Sequence, residues 1–283
     1  MNDPKRHHYI PEFYLKRWAI NGKITTFQNY KGEIKKSFPS PKGTGFEFQL
    51  YSYSEKLKTS NYAEIETNFL SKLDSKGAKI VKKLINNQTL EKEEPLIWAK
   101  FILALKVRTP ENISRIKQTI SVGYRNFLND RQKDYEKHKA PNAPDALIDL
   151  YELNSPGLIE NIGVGQIPKI YSDQRAITDF LSFDYHVLHT GHFKLLSSDR
   201  PLLFIGRPDS PDCIIALPLS PSHAFFATKP NSNAQKHLHS MKPKKIVYLL
   251  NRAVARQAKK RVYTENGDHV CDKFLKKHLR IFA

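Results

Sequence analysis

The chain has 283 residues, 40% hydrophobic and 11% aromatic, with 46 Lys and Arg against 28 Asp and Glu for a formal charge of +18. That composition is too apolar for a disordered class and supplies ample side chains for a packed core. No uninterrupted apolar run approaches the ~20 residues of a membrane helix, and two cysteines, Cys213 and Cys271, are too few for a disulfide framework or a Cys-rich zinc site.

In chain order, Met1-Asn2-Asp3-Pro4-Lys5-Arg6 has no apolar signal core, so a cytoplasmic protein with no membrane partner is expected. His7-His8-Tyr9-Ile10-Pro11 leads into a short helix with Phe13, Tyr14, Leu15 and Trp18 on its buried side, Pro11 suiting the first turn. Asn21-Gly22 and the turn at Lys31-Gly32 bracket two strands, which predicts a hairpin over residues 23–38. From Asn61 to about Asn86 the apolar period becomes helical, with Ile65, Phe69, Leu73, Ile80 and Leu84 on one stripe. A second helix is predicted from Glu91 to Arg108, ended by Thr109-Pro110, and a more polar third from Glu111 to about Lys139. Residues 145–182 read as two further helices divided by the stretch from Gly157 to Gly165.

The last third changes texture. Phe183–His189 reads as a strand turning at Thr190-Gly191-His192 and pairing back through Phe193–Leu196. Leu202–Ile205, Ile214–Leu219 and Ala224–Thr228 follow as strands, then a helix from Lys244 to Arg261 and a short strand at Val262–Thr264. A helical core over about 61–182, flanked by the hairpin and by a β-rich part over about 183–264, predicts an α+β fold in a single domain spanning 1–283.

Several of these segments together resemble a bacterial family catalogued as domain of unknown function 4238. The resemblance begins at His7-His8-Tyr9 with Pro11 and Phe13-Tyr14-Leu15, and continues at Glu66 and Arg108-Thr109-Pro110. It goes on through Ser198-Asp199-Arg200-Pro201, Pro218-Leu219-Ser220-Pro221 and Asn251, covering about residues 5 to 265. Asp74 departs from it, since the family more often has Glu there. The resemblance implies the fold family and carries no activity.

The polar residues that it picks out are His7, His8, Glu66, Arg108, Ser198, Asp199 and Asn251, drawn from five segments. Gathered in one pocket they would suit phosphodiester chemistry: an imidazole to move a proton, Arg108 to clamp phosphate in two-point geometry, and Asp199 to orient the imidazole or hold a cation. The alternative role for the same residues is a buried structural network, with Asp199 capping the turn before Pro201. No metal ligand set is read from the eleven histidines; magnesium would enter through Glu66, Asp74 or Asp199 together with a phosphate of the substrate. No Gly-x-Ser-x-Gly elbow, Gly-x-Gly-x-x-Gly or Walker loop is present.

The charge is concentrated at the ends. Residues 1–60 hold 11 basic and 5 acidic groups and residues 236–283 hold 13 and 3, so the ends carry +16 of the +18. Arg252, Arg256, Lys259 and Lys260 follow a helical spacing, with Arg261, Lys273, Lys276, Lys277 and Arg280 beyond them. Such a stripe backed by Tyr263 points to nucleic acid, DNA or RNA, as the partner. The expected function is a nuclease or phosphodiesterase with a His-Arg-Asp pocket. Its rivals are a non-catalytic nucleic-acid-binding or regulatory module and a pocket for a small anionic metabolite. For the nucleic-acid readings the two basic ends should lie together beside the pocket.

Overall fold

The computed structural model describes residues 6–31, 33–53, 65–266 and 269–279. Its N-terminal part carries β1 (Arg6–His8), α1 (Glu12–Leu15), a 3-10 turn (Lys16–Trp18), β2 (Ala19–Ile20), β3 (Lys23–Tyr30), β4 (Glu33–Ser37) and β5 (Phe46–Phe48). A π-helical turn (Ile65–Leu70) opens the helical middle, followed by α2 (Ser71–Ile85), α3 (Glu94–Val107), α4 (Pro110–Asp130) and α5 (Gln132–His138). Then come α6 (Leu147–Asn154), α7 (Leu158–Tyr171) and α8 (Gln174–Leu181). The last third holds β6 (Asp184–His189), β7 (Ser197–Ser198), β8 (Leu203–Ile205), β9 (Ile214–Ser220) and β10 (His223–Thr228). It closes with α9 (Asn233–Ser240), α10 (Pro243–Gln257), β11 (Val262–Thr264) and α11 (His269–His278). Helices fill the middle of the sequence and sheets lie toward both ends, which makes this an α+β fold. Residues 61–64, where the first long helix was expected to begin, and Arg280 lie outside the described residues.

The chain divides into two compact units, each assembled from separated segments. The first comprises Met1–His7, Glu47–Lys72 and Val107–Asp173; the second comprises His8–Phe46, Leu73–Lys106 and Gln174–Ala283. The expected helical core of 61–182 is therefore shared between them.

In the first unit α4 runs beside α7. Pro110 occupies the first turn of α4, where its missing N–H costs no helical hydrogen bond. The helix expected to reach Lys139 breaks at Arg131, whose amide turns back onto the Leu128 and Asn129 carbonyls. The expected break between two helices falls at residues 155–157, between α6 and α7, while Gly163 and Gly165 lie within α7. Gly157 precedes α7 in a left-handed conformation (φ +77°), and Gly163 sits inside it where α4 passes closest. A Cβ on Gly163 would lie 2.8 Å from the Lys117 Cα. Gly163→Ala is accordingly expected to cost about 2 kcal/mol, because backbone cannot yield as a side-chain tip does. Urea denaturation would check this, and an unchanged midpoint would show that the helices separate freely.

In the second unit, β6, β10, β9 and β8 form an antiparallel sheet in that order, and β2, β3, β11 and β7 form another, with β4 added on β3. β10 pairs β6 with Phe226 opposite His186, and pairs β9 with Phe226 opposite Ala216. Adjacent residues on a strand face opposite ways, and here both ways are covered. Trp98 of α3 meets the Phe225 ring edge-on at 5.2 Å, while Phe226 belongs to the core built with Leu250, Val254 and Ala255 of α10. Burial on both faces explains why β9 and β10 read as continuous apolar runs rather than alternating ones. α3 is apolar around most of its circumference for the same reason, with Trp98, Phe101, Ile102 and Leu105 all buried.

Phe193–Leu196 does not pair with β6 as the local turn suggested; β6 takes β10 instead. The reason lies in the backbone partners of that segment. Leu195 N–H donates to the Pro221 carbonyl, and Leu196 N–H donates to the Asn251 side chain at 2.8 Å. Within the second unit, parts of the two basic ends meet: β3 pairs β11 in register Phe27↔Val262, and α11 packs on β4.

Candidate functional site

The polar residues singled out above fall into two sets. In the first unit, β1 positions His7 with its ring parallel to Tyr51 at 5.5 Å and 7°, and the Nδ1 atom accepts the Tyr51 N–H at 2.9 Å. Nδ1 is thus the unprotonated nitrogen of a neutral imidazole. Tyr51 donates its hydroxyl to the Arg108 carbonyl at 3.1 Å, so His7 and Arg108 meet on one residue. Both His7 and Arg108 are wholly buried. Lys117 reaches the Leu50 carbonyl at 2.8 Å nearby in sequence, and burial pushes its ammonium pKa down. Glu66 lies in the π-helical turn; its side chain is outside the described ones.

In the second unit, Ser198, Asp199 and Asn251 act on one stretch of chain. Asn251, on α10, accepts from Leu196 N–H and donates to the Lys194 carbonyl at 2.9 Å. One turn and a half further along α10, Gln257 donates to the carbonyls of Arg200 (2.9 Å) and Leu202 (2.6 Å). The Ser198 hydroxyl accepts the Arg200 N–H at 3.1 Å, a local turn ahead of Pro201. The Asp199 carboxylate accepts the Lys259 N–H at 3.0 Å and the Lys260 N–H at 2.6 Å. Burial raises its pKa, and the two amides and Arg200 oppose that shift. Segment 194–202 is therefore tied to α10 and the turn after it by side-chain amides and one carboxylate, and the turn before Pro201 is held by Ser198 rather than by Asp199 as expected.

Asp199 also decides where the cationic stripe departs from its expected course. Ala258 leaves helical geometry (φ −54°, ψ 135°), so Lys259 and Lys260 continue a turn fixed by Asp199 rather than the helix. Arg252 and Arg256 remain on α10 one turn apart, and the Lys259 and Lys260 side chains are exposed. α11 lies alongside α10, locked by Tyr248 against Phe274 and His278 at 6.0 Å each. Lys277, Arg256 and Arg252 all depress the His278 pKa, after the larger effect of its burial. Lys273, Lys276 and Lys277 are exposed on α11, and Arg261 is half-buried before β11. On the β3–β4 hairpin, Lys35 lies 4.2 Å over the Tyr30 ring, and Tyr30 and Phe38 are both about half exposed.

His8 belongs to the second unit and tilts against Phe46 at 5.7 Å. Tyr14 ties its own motif to Pro218-Leu219-Ser220-Pro221 and to the residue before Ser198, its hydroxyl bonding the Ser197 Oγ at 2.9 Å and donating to the Pro218 carbonyl at 2.7 Å. Burial drives the Tyr14 phenol pKa far upward. The family model described as "Protein of unknown function (DUF4238)" matches residues 6–268. The chain belongs to that family. No curated protein and no solved structure matched it.

For this DUF4238 protein the structure adds a cluster that the sequence did not disclose. Register places His189 across from His223, with ring centroids 4.8 Å apart, and the His223 Nδ1 lies 3.0 Å from both Ser220 Oγ and Ser222 Oγ. Burial lowers the His223 pKa, helped by His189 and by Arg17. Only strand register links these residues, so no sequence spacing announces them. His237 and His239 lie two positions apart on α9, where side chains at that spacing point to opposite sides of the helix. Among the described residues no three His, Cys, Asp or Glu side chains are placed to share an ion. Both Asp199 oxygens accept a backbone amide.

His186, His223 and His278 all have depressed pKa values. The folded state then binds fewer protons than the unfolded chain below the ordinary histidine pKa of ~6.5, so stability is full above that pH and lost as pH falls through it. Urea midpoints taken from about pH 8 down to about pH 5 should decline along this interval. A flat profile would contradict the burial of these rings.

Proposed function

We propose that the protein binds nucleic acid along the cationic surface of α10, α11 and the β3–β4 hairpin. The observation that carries this reading is the packing of α11 on α10 through Tyr248, Phe274 and His278, with the Arg252 guanidinium 5.9 Å from the Tyr248 ring, which places the cations of two helices on neighbouring elements. A polyanion neutralises such a surface by releasing its own counterions, and no single base is read in doing so. Tyr248, 44% exposed beside Arg252, and the exposed Tyr30 and Phe38 offer rings for unpaired bases to stack on. Asp199 and Asn251, spent on backbone groups, support holding a strand rather than cutting it. Fluorescence anisotropy with labelled single- and double-stranded DNA and RNA tests this. Expected is binding whose logarithm falls linearly with the logarithm of salt concentration. Absent or salt-independent binding would remove the reading.

Hydrolysis of phosphodiesters is the second reading, favoured by the His189–His223 pair. Two adjacent imidazoles divide the tasks of base and acid, and Arg17 would meet the phosphate. Incubation with RNA and DNA, with and without magnesium, tests it. Cleavage abolished by His223→Ala assigns it to this pair. Cleavage abolished by His8→Ala or Arg108→Ala assigns it to the His-Arg-Asp residues instead.

A further inference from the structure

A cavity of about 350 Å³ opens in the second unit between α9, α10 and the β8–β9 edge. Its size is at the lower end of small-molecule pockets. Ile214, Phe226, Leu238, Met241 and Leu250 give it an apolar wall, and the polar side chains that line it are His237, Arg252 and Arg256. Among the described residues no carboxylate lines it. Arg252 and Arg256 are one helical turn apart on α10, so both guanidinium groups project from the same side of the helix as the lining residues Leu249 and Ala253.

These walls select a ligand class. A nucleobase or a peptide entering the cavity would bring donors and acceptors that aliphatic side chains cannot satisfy, at a cost of several kcal/mol per polar group. An alkyl chain brings none, and the flexible Met241 thioether can follow its shape. At the cationic end a carboxylate meets planar donors that bind it in two-point fashion. We infer that this cavity binds an unbranched aliphatic carboxylate of medium length, its chain among Ile214, Phe226, Leu238 and Leu250 and its head group on Arg252 and Arg256. The inference is independent of nucleic-acid binding, since a protein that ignores oligonucleotides and takes this ligand fulfils it.

The test is calorimetric titration of the full chain with dodecanoate below its micelle concentration, with dodecanol as the uncharged control. Saturable one-to-one binding of dodecanoate is expected, at least about tenfold tighter than dodecanol. Ala253→Trp, which fills the cavity, should abolish binding of both. Arg252→Gln/Arg256→Gln, two changes at the solvent side of α10, should weaken dodecanoate to the level of dodecanol and leave dodecanol unchanged. Three results overturn the inference: no saturable binding by the unmodified protein, equal affinity for the acid and the alcohol, or dodecanoate affinity unaltered in the Gln variant. The Gln variant keeps the question decidable if Ala253→Trp does not fold.

Discussion

Replacing Asp199 with Ala should lower the unfolding free energy by about 3 kcal/mol, without any substrate in the assay. The carboxylate is 3% exposed and holds the Lys259 and Lys260 amides at 3.0 and 2.6 Å, so the change strands two donors where α10 ends. Asp199→Asn keeps one acceptor oxygen and should cost about half as much. Burial raises the Asp199 pKa above its unfolded value, so the folded state holds its proton to higher pH than the unfolded chain does. This contribution to stability is therefore greatest below about pH 4 and declines as pH rises through the folded pKa. That decline should vanish in Asp199→Asn, which carries no titrating proton. Urea denaturation of the three proteins measures all of this. A loss below about 1 kcal/mol for Asp199→Ala would mean that water replaces the carboxylate, and its structural role would fall.

The second large effect concerns charge. Arg252→Glu/Arg256→Glu should weaken oligonucleotide binding by about 100-fold at low salt, since it both removes two phosphate partners and places two like charges against the backbone. The loss should shrink steadily as salt is added, because screening weakens attraction and repulsion alike. A control reversal at Lys137, exposed on α5 of the other unit, should change affinity little. Equal losses at both places would signify a response to net charge alone, and the assignment of a binding surface to α10 and α11 would fail.

What the sequence disclosed depended on whether a signal was local. The runs at β9 and β10 were legible because burial on both faces leaves no polar positions to confuse the period. The α10 stripe was legible through Arg256, and beyond it the reading failed at Ala258, because the residue that stops the helix is Asp199, 59 positions earlier. Gly157 does mark a break, between α6 and α7, whereas Gly163 permits a close helix crossing inside α7, two uses that a sequence pattern does not distinguish. Among the site candidates, Asp199 and Asn251 stood out as polar residues in apolar surroundings. Their partners, however, are backbone amides and carbonyls, which leave no mark in the sequence. The His189–His223 pair was hidden for the converse reason: both residues are visible, and only the strand register joins them.

The position of β3 sets an order on synthesis. This strand lies between β2 and β11 and also carries β4, so two of its neighbours are made soon before or after it and the third more than 200 residues later. A nascent chain that has emerged as far as α8 holds β3 with its Phe27 side lacking Val262 and the α10 core. At ~5–20 residues per second, some seconds pass before β11 arrives, and the half-built sheet presents an open edge throughout. The second unit thus closes only after β11 has been made, and a ribosome stalled before it would leave a sticky, protease-sensitive intermediate rather than a smaller stable protein.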